Sequence, residues 1–272
     1  MYLNYNGHNL PENELVLPLT NRAFQYNDGF FETMVLVCGD VRFLAEHGER
    51  MREAAAVLRL ELPDDLQPVL LGKAIQELAL KNNCAEFARV KLKVWRGGEG
   101  LYTPQTNAVE WLLTAEAMTP STMEPVSIGI STSVYTHASL FSSFKGPNSP
   151  VYVLASLEKK ERQLEDLLLL DTQGHISELT YSNIFWVEGN TLFTPSLDTG
   201  CLNGVMRRNL LKKAAIAHWN LEEGKFLPEV LHQAELVFSS NVMGLRPIQV
   251  LEGKPLPLNL KLLEDLRQLA FR

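Results

Sequence analysis

The chain has 272 residues, of which 46% are hydrophobic and 21% are charged, and its formal net charge is −7. A chain of this length and composition can bury a substantial core, in one large or two modest globular domains. The negative charge repels polyphosphates on average, so we expect no nucleic-acid partner. The sequence shows neither a leader-like N-terminus nor an apolar run of about 18 residues, which predicts a cytoplasmic protein without a membrane partner.

The three cysteines, Cys38, Cys84 and Cys201, are widely spaced, and no pair has the spacing of a metal site or a redox motif. An odd number of scattered thiols is typical of proteins in a reducing compartment. We therefore interpret all three as packing residues and expect no metal site.

The N-terminal half mixes strands with helices, and the two do not alternate strictly. Turn formers stand at Asn6-Gly7 and at Cys38-Gly39-Asp40, and the second group predicts a hairpin. The predicted strands are residues 30–37, 89–95 and 111–115, and the predicted helices are residues 45–60 and 66–82.

The strand predicted at residues 89–95 alternates sharply between cationic and apolar side chains. Arg89, Lys91 and Lys93 share one face, and the residues between them are valine or leucine. A substrate carboxylate would bind well to this cationic face. A solvated strand face explains the same pattern equally well, because lysine and arginine are mostly exposed.

The C-terminal half follows a polar segment that contains proline, which is typical of a linker. The predicted strands there are residues 126–131, 167–170, 175–187 and 191–194, and the predicted helices are residues 152–164, 205–219 and 258–269. We predict an α+β protein with an N-terminal lobe at residues 1–117, a linker at 118–124 and a C-terminal lobe at 125–272.

Three positions in the C-terminal half can carry chemistry, and each also has an ordinary structural explanation. Glu178 stands in a segment typical of a buried strand pair, where a carboxylate needs a partner, although an exposed glutamate is the commoner case. Residues 202–208 form a turn that leads into a helix, whose first N–H groups bind phosphate or are simply capped. Residues 239–241 supply hydrogen-bond donors or make a turn.

Taken singly, the cationic candidates have ordinary explanations too. Lys145 stands among turn formers, a pattern that is typical of a surface lysine. Arg50 has the pattern of a solvated helix residue, and His47 that of a packing or capping residue.

The order of these segments along the chain resembles that of the fold-type IV pyridoxal-phosphate enzymes, which include branched-chain and D-amino-acid aminotransferases and aminodeoxychorismate lyases. The resemblance spans nearly the whole chain and rests on residues 27–33, 46–50, the segment that begins at Lys145, 176–186 and 194–207. It implies a two-lobed D-amino-acid aminotransferase-like fold with the cofactor between the lobes. It also implies a homodimer in which the partner subunit completes the substrate pocket.

The resemblance further implies a role for each motif. Lys145 would bind pyridoxal 5'-phosphate covalently and move the proton during catalysis. Glu178 would face the pyridine nitrogen of the cofactor and keep it protonated. The residues implied to bind the phosphate are Arg50, Val205, Met206, Ser240 and Asn241. The implied substrate is a small amino compound with a carboxylate, and its candidate contacts are Arg89, Lys91 and Tyr26.

Two reactions fit the resemblance. A lyase would release pyruvate from 4-amino-4-deoxychorismate in folate biosynthesis, whereas an aminotransferase would act on D- or branched-chain L-amino acids with 2-oxoglutarate in amino-acid metabolism. Branched-chain aminotransferases place a tyrosine shortly after the lysine, whereas this chain has Asn148-Ser149-Pro150 before Tyr152. Residues 183–186 and 202–207 and the compact length are closer to the lyases. A non-catalytic binding protein is a third hypothesis, which the retained Lys145 and Glu178 disfavour.

Overall fold

In the computed structural model, residues 1–120 and 123–271 are described, and they divide into two compact units. The first unit comprises Met1–Pro120 and the short segment Phe144–Pro147. The second unit comprises the described residues 123–143 and 148–271. The predicted linker, residues 118–124, includes residues 121 and 122, which lie outside the described residues, so the lobe boundaries drawn from the sequence stay predictions.

The first unit is built on a six-stranded antiparallel sheet. Its strands are β1 (Tyr2–Tyr5), β2 (His8–Pro11), β3 (Gly29–Val37), β4 (Asp40–Val41), β5 (Phe87–Arg96) and β6 (Val109–Ala117). The order across the sheet is β2-β1-β6-β5-β3-β4. Long strands β3 and β5 are therefore neighbours, and their register places Phe31 opposite Lys93 and Thr33 opposite Lys91.

The hairpin predicted between β3 and β4 is confirmed. Its two loop residues, Cys38 and Gly39, have φ angles of 49° and 87°, which suit the twist of a two-residue antiparallel hairpin. Cys38 is exposed at this turn, whereas Cys84 and Cys201 are buried. The prediction that all three cysteines are packing residues is therefore wrong for Cys38, because the turn projects its side chain into solvent.

Three helices complete the first unit: α1 (Arg22–Tyr26), α2 (Leu44–Leu58) and α3 (Pro68–Lys81). Met51 of α2 and Ile75 of α3 pack with Val90 and Leu92 of β5 in one apolar core. The third helix begins two residues after its predicted start because Pro68 occupies the first turn, where proline leaves no unpaired N–H. The alternation predicted for β5 is confirmed, since its apolar residues are buried and its cationic residues lie on the opposite face.

The second unit contains a nine-stranded mixed sheet. Its strands are β7 (Val126–Ile130), β8 (Asp166–Leu170), β9 (Ile176–Leu179), β10 (Asn183–Glu188), β11 (Thr191–Pro195), β12 (Asn220–Gly224), β13 (Leu236–Asn241), β14 (Gly244–Leu251) and β15 (Lys254–Pro255). The order is β12-β11-β10-β13-β14-β7-β8-β9, and β15 pairs with β14. The strand pair predicted within residues 175–187 is confirmed as β9 and β10, which residues 180–182 separate. Residues 239–241 belong to β13 and do not form a turn.

The helices of the second unit are α4 (Ser149–Glu161), α5 (Val205–Ile216) and α6 (Leu260–Phe271). The predicted start of α4 at residue 152 is wrong by three residues, since Pro150 lies in its first turn, a position that tolerates proline. No helix within residues 1–120 and 123–271 has both the length and the apolar surface that a membrane crossing requires.

Candidate active site

Lys145 belongs to the segment that packs with the first unit. Its backbone carbonyl accepts a 2.8 Å hydrogen bond from the N–H of Phe31 on β3. Its ammonium nitrogen lies 5.8 Å from the centre of the Phe31 ring, and that of Lys91 lies 5.4 Å from the same ring. The structure thus brings Lys91, a predicted substrate contact, to the same aromatic side chain as the predicted catalytic lysine.

Lys91 and Lys93 form a cationic strip on the half-exposed face of β5. Among the described residues, no carboxylate lies within ion-pair distance of either ammonium group. Lys93 donates a 3.3 Å hydrogen bond to the side-chain oxygen of Asn27. Burial and then the charge of Lys91 lower the pKa of Lys93. Two adjacent cations without an acidic partner favour an anionic ligand.

The other two predicted substrate contacts lie in different surroundings. Arg89 is exposed and stands opposite Glu116 of β6 in the strand register. Tyr26 lies at the C-terminal end of α1, where its ring contacts Tyr102 at 5.6 Å between ring centres and Arg22 at 5.0 Å. Their roles toward a substrate stay predictions.

The motif Asn27-Asp28-Gly29 has a structural explanation. The carboxylate of Asp28 accepts hydrogen bonds from the guanidinium groups of Arg22 and Arg96, at 2.8 and 3.0 Å. A Cβ atom on Gly29 would lie 2.1 Å from a backbone oxygen of β5, so only glycine fits there. The motif therefore fixes the start of β3, the strand that anchors Lys145.

Arg50 is buried, with 2% of its surface exposed, so its interpretation as a solvated helix residue is wrong. Its guanidinium donates to both carboxylate oxygens of Glu32, one of them at 2.8 Å, and His47 Nδ1 contacts the same carboxylate at 2.6 Å. Burial opposes the charge of Glu32, but Arg50 and then His47 outweigh it and lower the pKa of Glu32 to about 2. Glu32 was not among the predicted site residues, although it lies within the motif at residues 27–33.

Glu178 lies on β9 in the second unit and is 2% exposed, so the alternative of an exposed glutamate is wrong and the carboxylate is buried. Its Oε1 accepts a 2.7 Å hydrogen bond from the hydroxyl of Tyr152, and its Oε2 accepts the N–H of Leu202 at 3.1 Å. Burial, and next the charge of Glu178, raise the pKa of Tyr152 strongly. The same two causes raise the pKa of the neighbouring Cys201 thiol to about 12.

Helix α5 begins at the buried residues Val205 and Met206, and its N-cap, Gly204, has no side chain that could cap the first N–H groups. A Cβ atom on Gly204 would lie 2.2 Å from the side-chain oxygen of Asn183. The amide nitrogen of Asn183 donates in turn to the carbonyl of Leu202 at 2.7 Å. Close packing against β10 therefore holds the helix start, whose N–H groups and dipole suit an anion.

Ser240 adds a second donor next to this helix start. It stands opposite Asn183 in the β10–β13 register and is 1% exposed. Within the described residues, its hydroxyl oxygen has no hydrogen-bond partner. An unpaired buried hydroxyl is costly unless a ligand satisfies it, so this position fits a phosphate group. Nearby Asn241 uses its side-chain oxygen to accept the N–H of Met243.

A cavity of about 290 Å³ lies within the second unit beside Tyr152. Tyr135, His137, Asn148 and Gly200 also line it. Tyr152 therefore contacts both this cavity and the carboxylate of Glu178.

The sequence profile of the family described as amino-transferase class IV matches residues 29–251. The aminodeoxychorismate lyase of Vibrio harveyi is 27% identical over 241 residues, which cover 85% of this chain and 86% of that protein. A Rickettsia felis protein, named probable branched-chain-amino-acid aminotransferase, is 30% identical over 219 residues, with 77% and 72% covered. The crystal structure of 4-amino-4-deoxychorismate lyase from Pseudomonas aeruginosa matches with a TM-score of 0.84 and 25% identity, covering 97% of each chain.

The chain belongs to the class IV aminotransferase family. Members of this family are pyridoxal-phosphate enzymes, so the predicted family, fold class and cofactor are confirmed. The buried start of α5 and the unpaired Ser240 hydroxyl fit the phosphate of that cofactor, and the buried carboxylate of Glu178 fits its ring nitrogen.

Proposed function

We propose that this enzyme is a 4-amino-4-deoxychorismate lyase, which releases pyruvate and leaves 4-aminobenzoate. The observation that carries the proposal is the cationic strip of Lys91 and Lys93, next to the ring that also contacts Lys145. 4-Amino-4-deoxychorismate has two carboxylates, one on the ring and one on the enolpyruvyl group. Two lysines without acidic partners suit such a dianion better than the single carboxylate and apolar side chain of a branched-chain amino acid.

Each site residue has a part in the proposed reaction. Lys145 attaches the cofactor and carries a proton between atoms of the substrate. Glu178 holds the proton on the ring nitrogen. When bound, pyridoxal phosphate supplies a ring that accepts electron density as a bond at the substrate breaks. The proposed phosphate-binding residues are Arg50, Val205, Met206, Ser240 and Asn241.

The similarity to known lyases supports the same reaction. The matches to the Vibrio harveyi and Pseudomonas aeruginosa lyases extend over at least 85% of this chain, so they include both units. No tyrosine follows Lys145 before Tyr152, and the hydroxyl of Tyr152 donates to Glu178. The tyrosine that the resemblance to branched-chain aminotransferases implies near the cofactor's phenolic oxygen therefore has no counterpart within the first six residues after Lys145.

The second candidate is an aminotransferase that uses a D- or branched-chain L-amino acid and 2-oxoglutarate. The 30% identity to the Rickettsia felis protein favours it. 2-Oxoglutarate also has two carboxylates, so the cationic strip would suit that co-substrate. The two candidates differ in their need for an amino acceptor, which only the aminotransferase requires.

The decisive experiment uses purified, cofactor-loaded enzyme and 4-amino-4-deoxychorismate without any 2-oxo acid. We expect pyruvate and 4-aminobenzoate in equal amounts, and neither product from the Lys145→Ala variant. If no pyruvate forms, but branched-chain amino acids shift the absorbance of the bound cofactor, the aminotransferase is correct and the lyase is not. A homodimer and a cytoplasmic location stay predictions from the sequence.

A further inference from the structure

We propose that Tyr152 is a positioning residue, which holds the carboxylate of Glu178 in one orientation and in its ionised form toward the ring nitrogen of the cofactor. The inference deepens the proposed function, because it rests on the role proposed there for Glu178. It is independent of whether the reaction is that of a lyase or an aminotransferase.

The orientation follows from the two donors on Glu178. The hydroxyl of Tyr152 reaches Oε1 at 2.7 Å, and the N–H of Leu202 reaches Oε2 at 3.1 Å. Because the donors approach different oxygens, they fix the rotation of the carboxylate about its last bond. One donor is a backbone group and the other a helix side chain, so the carboxylate is held between two separate parts of the second unit.

The ionised form follows from burial and hydrogen bonding. A buried carboxylate loses its hydration, and donors that bind the charged form compensate for that loss. Tyr152 acts as such a donor at every physiological pH, because burial and the charge of Glu178 raise its pKa strongly. The Cys201 thiol beside them stays neutral, since its pKa is raised to about 12. The two hydrogen bonds donated to Glu178 favour its ionised form, and a charged carboxylate favours a protonated ring nitrogen.

The position of Tyr152 is fixed by helix α4. Glu158, two turns further along this helix, accepts hydrogen bonds from the hydroxyl of Ser131 at 2.8 Å and from the N–H of Thr132 at 2.9 Å. Ala155, between them on the helix, is fully buried and packs in a cluster with Leu169. The helix is thus tied to the loop after β7, so the phenol of Tyr152 does not need to be ordered when the cofactor binds.

The test is the Tyr152→Phe variant loaded with pyridoxal 5'-phosphate that carries nitrogen-15 in its ring. The nitrogen-15 chemical shift reports directly whether the ring nitrogen is protonated. We expect the variant to shift toward the unprotonated value and the cofactor dissociation constant to rise about tenfold, the size of effect given by one hydrogen bond to a charged group. A purely structural role for Tyr152 would change melting but not this chemical shift.

Two further variants separate the outcomes. Tyr181→Phe removes the hydroxyl of an exposed tyrosine of the second unit, which bonds to Lys159 and Glu165, and should leave the chemical shift unchanged. Glu178→Gln should abolish ring protonation. If Glu178→Gln has this effect and Tyr152→Phe does not, the inference is overturned while the proposed role of Glu178 stands. If Glu178→Gln leaves the shift unchanged, both are overturned.

Discussion

Glu32 of β3 and Arg50 of α2 form a buried ion pair in which both carboxylate oxygens accept from the guanidinium. His47, one turn before Arg50, contacts the same carboxylate. The pair ties the second helix of the first unit to the strand that anchors Lys145. Because both partners are almost fully buried, neither can be removed without leaving the other charge uncompensated.

The Glu32→Gln variant should lose about 3–5 kcal/mol of stability at neutral pH, the usual cost of breaking a buried pair. The pKa of Glu32 is about 2 in the folded protein against an ordinary value of 4.5. A lowered folded pKa stabilises the protein above pH 4.5, and this contribution of about 3 kcal/mol is lost as the pH falls toward 2. Urea unfolding between pH 7 and about 3 should show this loss in the native protein and a weaker pH dependence in the variant.

The matched control for that experiment is Glu49→Gln, which changes an exposed carboxylate on the same helix. It should alter stability by less than about 0.5 kcal/mol. Equal pH dependence of the native protein and Glu32→Gln would show that the ion pair contributes nothing to acid stability.

The Ser240→Ala variant should have opposite effects on the cofactor-free and cofactor-bound proteins. Its hydroxyl is buried without a partner in the described structure, so removing it should leave the cofactor-free protein equally or slightly more stable. With pyridoxal phosphate, we expect about tenfold weaker binding and a smaller rise in melting temperature. Ser131→Ala is the contrasting control, because its hydroxyl is bonded to Glu158 and its loss should destabilise the cofactor-free protein. Unchanged cofactor affinity in Ser240→Ala would show that Ser240 does not bind the phosphate.

The Gly204→Ala variant should displace the start of α5. Its Cβ atom would lie 2.2 Å from the side-chain oxygen of Asn183, a distance at which one of the two must move. We expect a stability loss of about 1–3 kcal/mol and weaker cofactor binding, measured by thermal melting and by titration with pyridoxal phosphate. Gly97→Ala is the control, since the nearest atom to a Cβ there lies at 3.4 Å. Normal cofactor affinity in Gly204→Ala would show that the helix start does not hold the phosphate.

Replacement of either strip lysine, Lys91→Met or Lys93→Met, should raise the KM for 4-amino-4-deoxychorismate about tenfold, because each removes one charged contact to a carboxylate. The KM of the native enzyme should also rise with salt, as expected for a partly exposed charge pair. Lys73→Met, an exposed lysine of α3, should change neither value. If neither strip variant changes the KM, other residues bind the substrate carboxylates.

Local sequence patterns predicted much of this protein. The alternation of β5 and the apolar spacing of α2 and α3 depend on near neighbours, so they could be recognised directly. The resemblance to the family likewise depends on motifs that are short and ordered along the chain. The errors fall where a distant partner decides, as at Arg50, which has the pattern of a solvated helix residue but is buried against Glu32.

The sequence by itself determined the family, the cofactor and the identities of Lys145 and Glu178 as candidates. Only the tertiary structure decided which residues support them. Glu32 pairs with Arg50 across 18 positions, and Tyr152 reaches Glu178 across 26. Each contact joins a strand to a helix, so no periodicity within one element predicts it. The segment of Lys145 packs with the first unit although its neighbours on both sides belong to the second. Such contacts form only when distant strands and helices pack in one core. The spacing of residues along one helix or strand carries no information about the free energy of burying such groups together.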